Sequence, residues 1–232
     1  MDQKERMLAE LPYIASDEVL SRERLECKRR IYELNHVHPD QYNRIPGLLK
    51  ELFGKTGEAV FVEPPFHCDY GYNIEVGENF FANYNCTVLD VAKVKVGKNV
   101  MLGPNVSFYT AGHPLHHESR NTGYEYGISI TVGDNVWIGG SVVIMSGVSI
   151  GNNVVIGGGS VVTRDIPDGV AAAGNPCRVI REITEEDRKY YFKKRVLMWK
   201  YNRYLGSGCK FRTGLSYDRD GNGWKRWLQQ KI

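Results

Sequence analysis

The feature that most constrains this chain is an aliphatic residue that returns every sixth position, often with glycine after it. Val96-Gly97, Leu102-Gly103 and Phe108 fall in one register. Val132-Gly133, Ile138-Gly139, Ile144, Ile150-Gly151, Ile156-Gly157 and Val162 keep the same step. An earlier run, Val76-Gly77, Ala82 and Val88, has the step of six but is offset by two from Val96. Small or β-branched residues fill the place four later: Val100, Val106, Val136, Val142, Val148, Val154 and Ser160. Such a period suits neither an amphipathic helix nor an alternating strand. It suits a β-helix, in which six residues make one short strand and one corner, with Gly or Asn in the strained corner conformation. Three units close a triangular coil, and stacked coils share one apolar core. A Gly-rich sandwich would not hold one register from Val132 to Val162. The expected fold is mainly β, a parallel β-helix of hexapeptide repeats.

The flanks follow other rules. Residues 1–60 read as a helical segment: Asp17 is a capping acid, and Leu20, Leu25, Ile31 and Leu34 recur at roughly helical spacing. His38-Pro39-Asp40 interrupts it, and a second short helix starts near Ile45-Pro46. Residues 61–183 are the β-helix domain. Residues 184–232 are a basic, aromatic C-terminal extension, with Tyr190-Tyr191-Phe192-Lys193-Lys194-Arg195 and Trp224-Lys225-Arg226-Trp227. Such a segment binds a polyanion or membrane surface, or packs its rings on the scaffold with its charges wet; packing is the expectation.

Composition removes several classes. Apolar residues at 42% and charged residues at 25% are ordinary for a globular protein. No apolar run approaches the roughly 20 residues of a membrane span. A net charge of +3 does not call for nucleic acid. Five scattered cysteines without a C-x-x-C pair argue against a disulfide framework and for a reducing cytoplasm. Asp218-Arg219-Asp220-Gly221-Asn222-Gly223 matches the first half of a calcium loop, but Gln229 stands where a bidentate Glu is required, so a polar turn is expected.

The repeat is broken once, by a polar loop over 109–131 that holds His113, His116 and His117. A loop expelled from a rigid solenoid is a natural place for chemistry. His113 lies between a glycine that permits close approach and a proline that fixes the loop. An imidazole there can act as general base or simply bond within a turn. Three histidines can also ligate zinc, but no acidic ligand is identifiable from spacing, so no metal is expected.

Together, Cys68-Asp69-Tyr70-Gly71-Tyr72-Asn73-Ile74, Asn79-Phe80-Phe81-Ala82-Asn83-Tyr84-Asn85, Gly112-His113-Pro114, Val136-Trp137-Ile138-Gly139-Gly140 and Ala173-Gly174-Asn175-Pro176 carry a resemblance. Across residues 5–183 the chain resembles the maltose and galactoside O-acetyltransferases of the hexapeptide-repeat class. The resemblance implies a left-handed β-helix and a homotrimer with sites between neighbouring copies. It implies direct transfer of acetyl from acetyl-CoA to a sugar hydroxyl. Its catalytic histidine maps onto His113 and its acceptor-positioning asparagine onto Asn83. Acceptor contacts map onto Asp69 and Asp17, and coenzyme contacts onto Gly140, Gly158, Thr163, Arg164, Arg178 and Arg181. Where some relatives carry a second acid after the position of Asp90, this chain has Val91, which departs from a galactoside-type pocket.

The residue chemistry is compatible with these roles. Asn83 offers donor and acceptor groups for a sugar hydroxyl, or sits in a corner as asparagines do. Asp69 and Asp90 can accept from sugar hydroxyls or cap backbone turns. Paired glycines leave a groove for a pantetheine arm, and arginines suit the coenzyme's phosphates. The competing readings are a γ-class carbonic-anhydrase-like zinc hydratase on the same scaffold and a non-catalytic β-helix binding module.

Overall fold

The computed structural model describes residues 1–196, so Cys209, the calcium-loop resemblance at 218–229 and the Trp-rich end of the extension lie outside the described residues. The chain divides into two compact units, Met1–Ile183 and Thr184–Ile232.

The N-terminal segment contains α1 (Gln3–Leu8), a two-residue strand β1 (Tyr13–Ile14), α2 (Glu18–Asn35), a 3-10 stretch (Pro39–Arg44) and α3 (Ile45–Leu52). Asp2 and Glu5 form a capping box on α1. Asp17 caps α2 by accepting the N–H groups of Val19 and Leu20. The buried stripe of α2 is Leu20, Cys27, Ile31 and Leu34. Leu25 is not part of it: it stands 51% exposed. Steps of seven, four and three return to one helix face, whereas five turns the side chain away. The thiol of Cys27 takes the place that the sequence reading gave to leucine.

The β-helix winds in three-strand coils. The first coil is β2 (Val60–Val62), β3 (Phe66–Cys68) and β4 (Ile74–Val76); the second is β5 (Phe80–Ala82), β6 (Cys86–Leu89) and β7 (Val94–Val96). The third begins with β8 (Met101–Leu102) and β9 (Ser107–Tyr109). It leaves the prism as β10 (Ala111–Gly112), α4 (His117–Asn121) and β11 (Tyr124–Gly127), and returns as β12 (Ile130–Val132). The fourth is β13 (Trp137–Ile138), β14 (Val143–Met145) and β15 (Ser149–Ile150). The last coils use β16 (Val155–Ile156), β17 (Val161–Val162) and β18 (Val170–Ala173), and β19 (Arg178–Glu182) folds back antiparallel on β18.

These strands stack in parallel into three faces: β2-β5-β8-β13-β16-β18, then β3-β6-β9-β14-β17, then β4-β7-β12-β15. The result is a left-handed β-helix of about six coils. Every residue of the six-step register points inward; Ile138, Ile144 and Val162 have no exposed surface. Burying each such side chain contributes roughly 1.5–3 kcal/mol, which offsets the cost of fixing so many corners. At the corner between the third and first faces, Asn79, Asn99, Asn135 and Asn153 all adopt φ between 55° and 58°. Their side chains bond in a ladder at 2.9, 2.9 and 3.0 Å, so one residue type supplies both the strained turn and the link between coils. The open edges are covered: α3 packs on β2, and β19 pairs with β18.

In the second unit, the described residues form a 3-10 turn (Glu185–Lys189) and a small hairpin of β20 (Tyr190–Phe192) with β21 (Arg195–Val196). Tyr191 and Phe192 are exposed within it.

Candidate active site

The corner between the second and third faces is wider than the others. From Val88 to Val96 the inward step is eight rather than six, and the extra residues lie in Asp90–Lys93. The first coil widens at the same corner over 69–73, and the third expels its long arm there. Hydrogen bonds tie the three insertions together. Asp90 Oδ1 accepts the N–H groups of Asp69 and Tyr70 at 2.9 Å each, and Oδ2 accepts that of Gly71 at 2.7 Å. Thr110 Oγ1 accepts from Ala92 N–H and donates to the carbonyl of Leu89.

Asp90, expected from the sequence to accept from a sugar hydroxyl or to cap a turn, is placed inside this corner. Its side chain has no exposed surface, and its two oxygens are spent on the turn that carries Asp69. Burial pushes its carboxyl up to about 7, while the N–H donors of Tyr70, Asp69 and Gly71 pull it down. Val91 is also buried, in an apolar cluster with Met7, Tyr13, Leu20 and Tyr70. Asp69 is only half-buried. Burial pushes its carboxyl up, Arg24 opposes this, and Glu125 adds to it. Arg24 is itself fixed, donating to Tyr70 Oη and to the carbonyl of Ala15, both at 2.6 Å.

The expelled arm is ordered by pairing. β10 and β11 run antiparallel, and β1 from the N-terminal segment pairs with the other edge of β11. Gly112 lets the Tyr126 ring lie against the backbone: a Cβ there would come within 2.7 Å of it, and the ring would have to shift. His113 follows, with its side chain 54% exposed. Its Nδ1 lies 3.5 Å from the carbonyl of Tyr124, and its Nε2 lies 3.9 Å from Glu125 Oε2. Sequence reasoning passed over Glu125, because its partners Tyr13 and His113 lie 112 and 12 residues away along the chain. His116 and His117 are exposed and stack on each other with ring centroids 4.7 Å apart. Among the described residues, no group of three or more His, Cys, Asp and Glu side chains is placed to hold a metal ion. Asp17 lies at the start of α2, half-buried, with Oδ1 committed to its cap.

A second cluster occupies the corner between the first and second faces. Asn83 is there, its Oδ1 accepting the N–H of Tyr84 at 2.8 Å. The left-handed corner geometry belongs to its neighbour Asn85, at φ 60°, so Asn83 is not the strained corner residue. Gly103, Gly140 and Gly158 stack along the same corner. A Cβ on Gly103 would lie 2.5 Å from the Gly140 nitrogen, and one on Gly139 would lie 2.6 Å from the Gly158 nitrogen. Arg178 and Arg181 are exposed on β19, registered with Ala173 and Ala171. Thr163 and Arg164 are exposed after β17, at the second–third corner. One chain thus holds Asn83 and His113 on different edges of the prism.

Residues 6–57 match the family described as "Maltose acetyltransferase hexapeptide capping motif", and residues 129–164 match "Bacterial transferase hexapeptide (six repeats)". The chain is 50% identical over 193 residues to galactoside O-acetyltransferase of Escherichia coli (strain K12), covering 83% of this chain and 95% of that one. Among solved structures it is similar to a maltose O-acetyltransferase from Clostridium difficile 630, with 54% identity and a TM-score of 0.79 over 80% of this chain and 99% of that one. It is also similar to galactoside acetyltransferase in complex with coenzyme A, with 48% identity and a TM-score of 0.82 over 86% and 100%. The chain belongs to the hexapeptide-repeat maltose and galactoside O-acetyltransferase family, the acetyl-CoA-dependent O-acetyltransferases of this fold.

Proposed function

We propose that the protein transfers acetyl from acetyl-CoA directly to a sugar hydroxyl, with His113 as general base. The observation that carries this reading is the placement of His113: half-exposed on an arm pinned by β1, beside Glu125. In the reaction His113 takes the proton of the acceptor hydroxyl. The oxygen attacks the thioester carbonyl, and the tetrahedral oxyanion collapses to the ester. The departing thiolate takes the proton back from the imidazolium, so the base is regenerated. Asn83, Asp69 and Asp17 orient the acceptor in this reading. The glycine-lined corner at Gly140 and Gly158 takes the pantetheine arm. Thr163, Arg164, Arg178 and Arg181 take the nucleotide end.

The separation of Asn83 from His113 supports a homotrimer, because a neighbouring copy brings one edge of the prism against another. A stripe on the first face supports it too: Met101 and Trp137 are adjacent in register and stand 46% and 53% exposed. The described cysteines are free thiols, which fits the reducing cytoplasm. Among the described residues no helix is long and apolar enough to cross a membrane. The decisive measurement is release of free coenzyme A from acetyl-CoA across a panel of mono- and disaccharides. His113→Ala should lower turnover about 100-fold or more while the melting curve stays in place. Near-normal turnover in that variant would refute the mechanism.

A further inference from the structure

Tyr13 belongs to a two-residue strand that the proposed chemistry does not call upon, yet it is fully buried, packed with Met7, Leu20, Tyr70 and Val91. Pairing of β1 with β11 sets Tyr13 directly opposite Glu125. The Tyr13 hydroxyl donates to Glu125 Oε1, and the other oxygen of that carboxylate faces His113 Nε2 at 3.9 Å. Glu125 is well shielded, with 16% of its side chain exposed, while His113 opens to solvent. Burial, together with the Glu125 bond, pushes the Tyr13 phenol far above its ordinary value, so it remains a donor. A buried phenol bonded to a carboxylate is a fixed support, since a lone carboxylate at the foot of a flexible arm would rotate toward water.

We propose that Tyr13 and Glu125 are positioning residues for His113: the Tyr13 hydroxyl holds the Glu125 carboxylate in place, and the carboxylate stabilises the imidazolium formed when His113 takes the acceptor proton. The proposal rests on the general-base reading of His113 and deepens it. The proton passes from the acceptor hydroxyl to Nε2 and later to the departing thiolate, and Glu125 and Tyr13 keep their own protonation states throughout. Other charges face the group. Asp69 of the first coil lies near enough to Glu125 for the two carboxylates to repel, and Arg24 of α2 faces both Asp69 and the Tyr13 phenol. From the arm itself, Arg120 is turned to the carbonyls of Pro114 and Leu115. Among the described residues, Glu125 is the carboxylate that lies within 4 Å of the imidazole.

The test is a double-mutant cycle on steady-state kinetics of the full-length protein. Glu125→Gln removes the charge facing the imidazole and should lower kcat about tenfold while leaving the KM values for acceptor and acetyl-CoA nearly unchanged, because the carboxylate acts on the imidazolium formed in the transition state. Glu125→Asp should restore part of the loss. Tyr13→Phe keeps the buried ring and should lower kcat by less. In the Glu125→Gln background it should add nothing, because Tyr13 acts only through the carboxylate. A Tyr13→Phe variant that melts earlier with an unchanged kcat, or whose loss multiplies fully with that of Glu125→Gln, would reduce Tyr13 to packing and overturn the proposal. An unchanged kcat in Glu125→Gln would also overturn it. The two readings separate: full activity in Glu125→Gln with an inactive His113→Ala sinks the pair alone, whereas a fully active His113→Ala sinks the general base.

Discussion

Gly103→Ala adds one methyl group at the corner where the coils stack most tightly. The added Cβ would lie 2.5 Å from the Gly140 nitrogen and 2.9 Å from the Gly139 carbonyl carbon. These are backbone atoms of the next coil, so no side chain can rotate away. Gly103 does not occupy the left-handed region, so the cost comes from contact and not from φ. Ordinary contact requires a retreat of roughly 0.5–1 Å between coils packed at their normal spacing. That retreat stretches the Gly103 N–H bond to Ile138, now 2.7 Å, and the other bonds between the same two coils, Ser141 to Pro104 at 2.8 Å and Met101 to Val136 at 3.0 Å. Losing about half of three such bonds, at about 1 kcal/mol net each, and opening the core beneath gives about 2–4 kcal/mol. For a chain of this size that is a fall in melting temperature of about 5–15 °C. Because Gly140 is displaced in the same movement, affinity for acetyl-CoA should fall as well. Calorimetric melting and coenzyme titration on one sample measure both. A variant that melts within a degree of the parent and binds coenzyme normally would refute the claim that this corner is closed by backbone contact.

Three further outcomes follow from the same geometry. Gly47 lies exposed in α3 with nothing within 4 Å of its would-be Cβ, so Gly47→Ala should raise stability by about 0.5–1 kcal/mol in urea unfolding; a loss would mean that unseen packing constrains the helix. Arg178→Ala and Arg181→Ala should raise the Michaelis constant for acetyl-CoA several-fold and leave that of the acceptor nearly unchanged, since phosphate contacts are shared by ground and transition states; a pure turnover defect in initial-rate kinetics would remove these residues from the coenzyme site. Sedimentation should report a trimer, and Trp137→Asp, placed in the exposed stripe of the first face, should shift the boundary toward monomer with loss of turnover; a fully active monomer would contradict the shared site.

The sequence by itself determined the solenoid. A six-residue aliphatic step survives any rearrangement of neighbours, because it follows from the geometry of one short strand and one corner, and it made the coils, their inward residues and the expelled arm legible in advance. It also carried the cap at Asp17, whose role needs only the next few residues. The two-residue offset before Val96 was visible as well, but its meaning was not: only stacking shows that three coils widen at one corner and surround the site. Leu25 and Cys27 were exchanged because a step of five from Leu20 leaves the helix face to which a step of seven returns, so the buried stripe takes the thiol and not the leucine. Asp90 has the composition of a sugar ligand, and only the turn of the preceding coil, pointing three N–H groups at it, makes it a buried support. Glu125 gave no signal at all in the linear chain. Its carboxylate gains a place only when β1 crosses to β11 and brings Tyr13 to one side and His113 to the other. Local periodicity is fixed by neighbours in sequence; the protonation and aim of a side chain are fixed by whatever distant groups the fold sets against it.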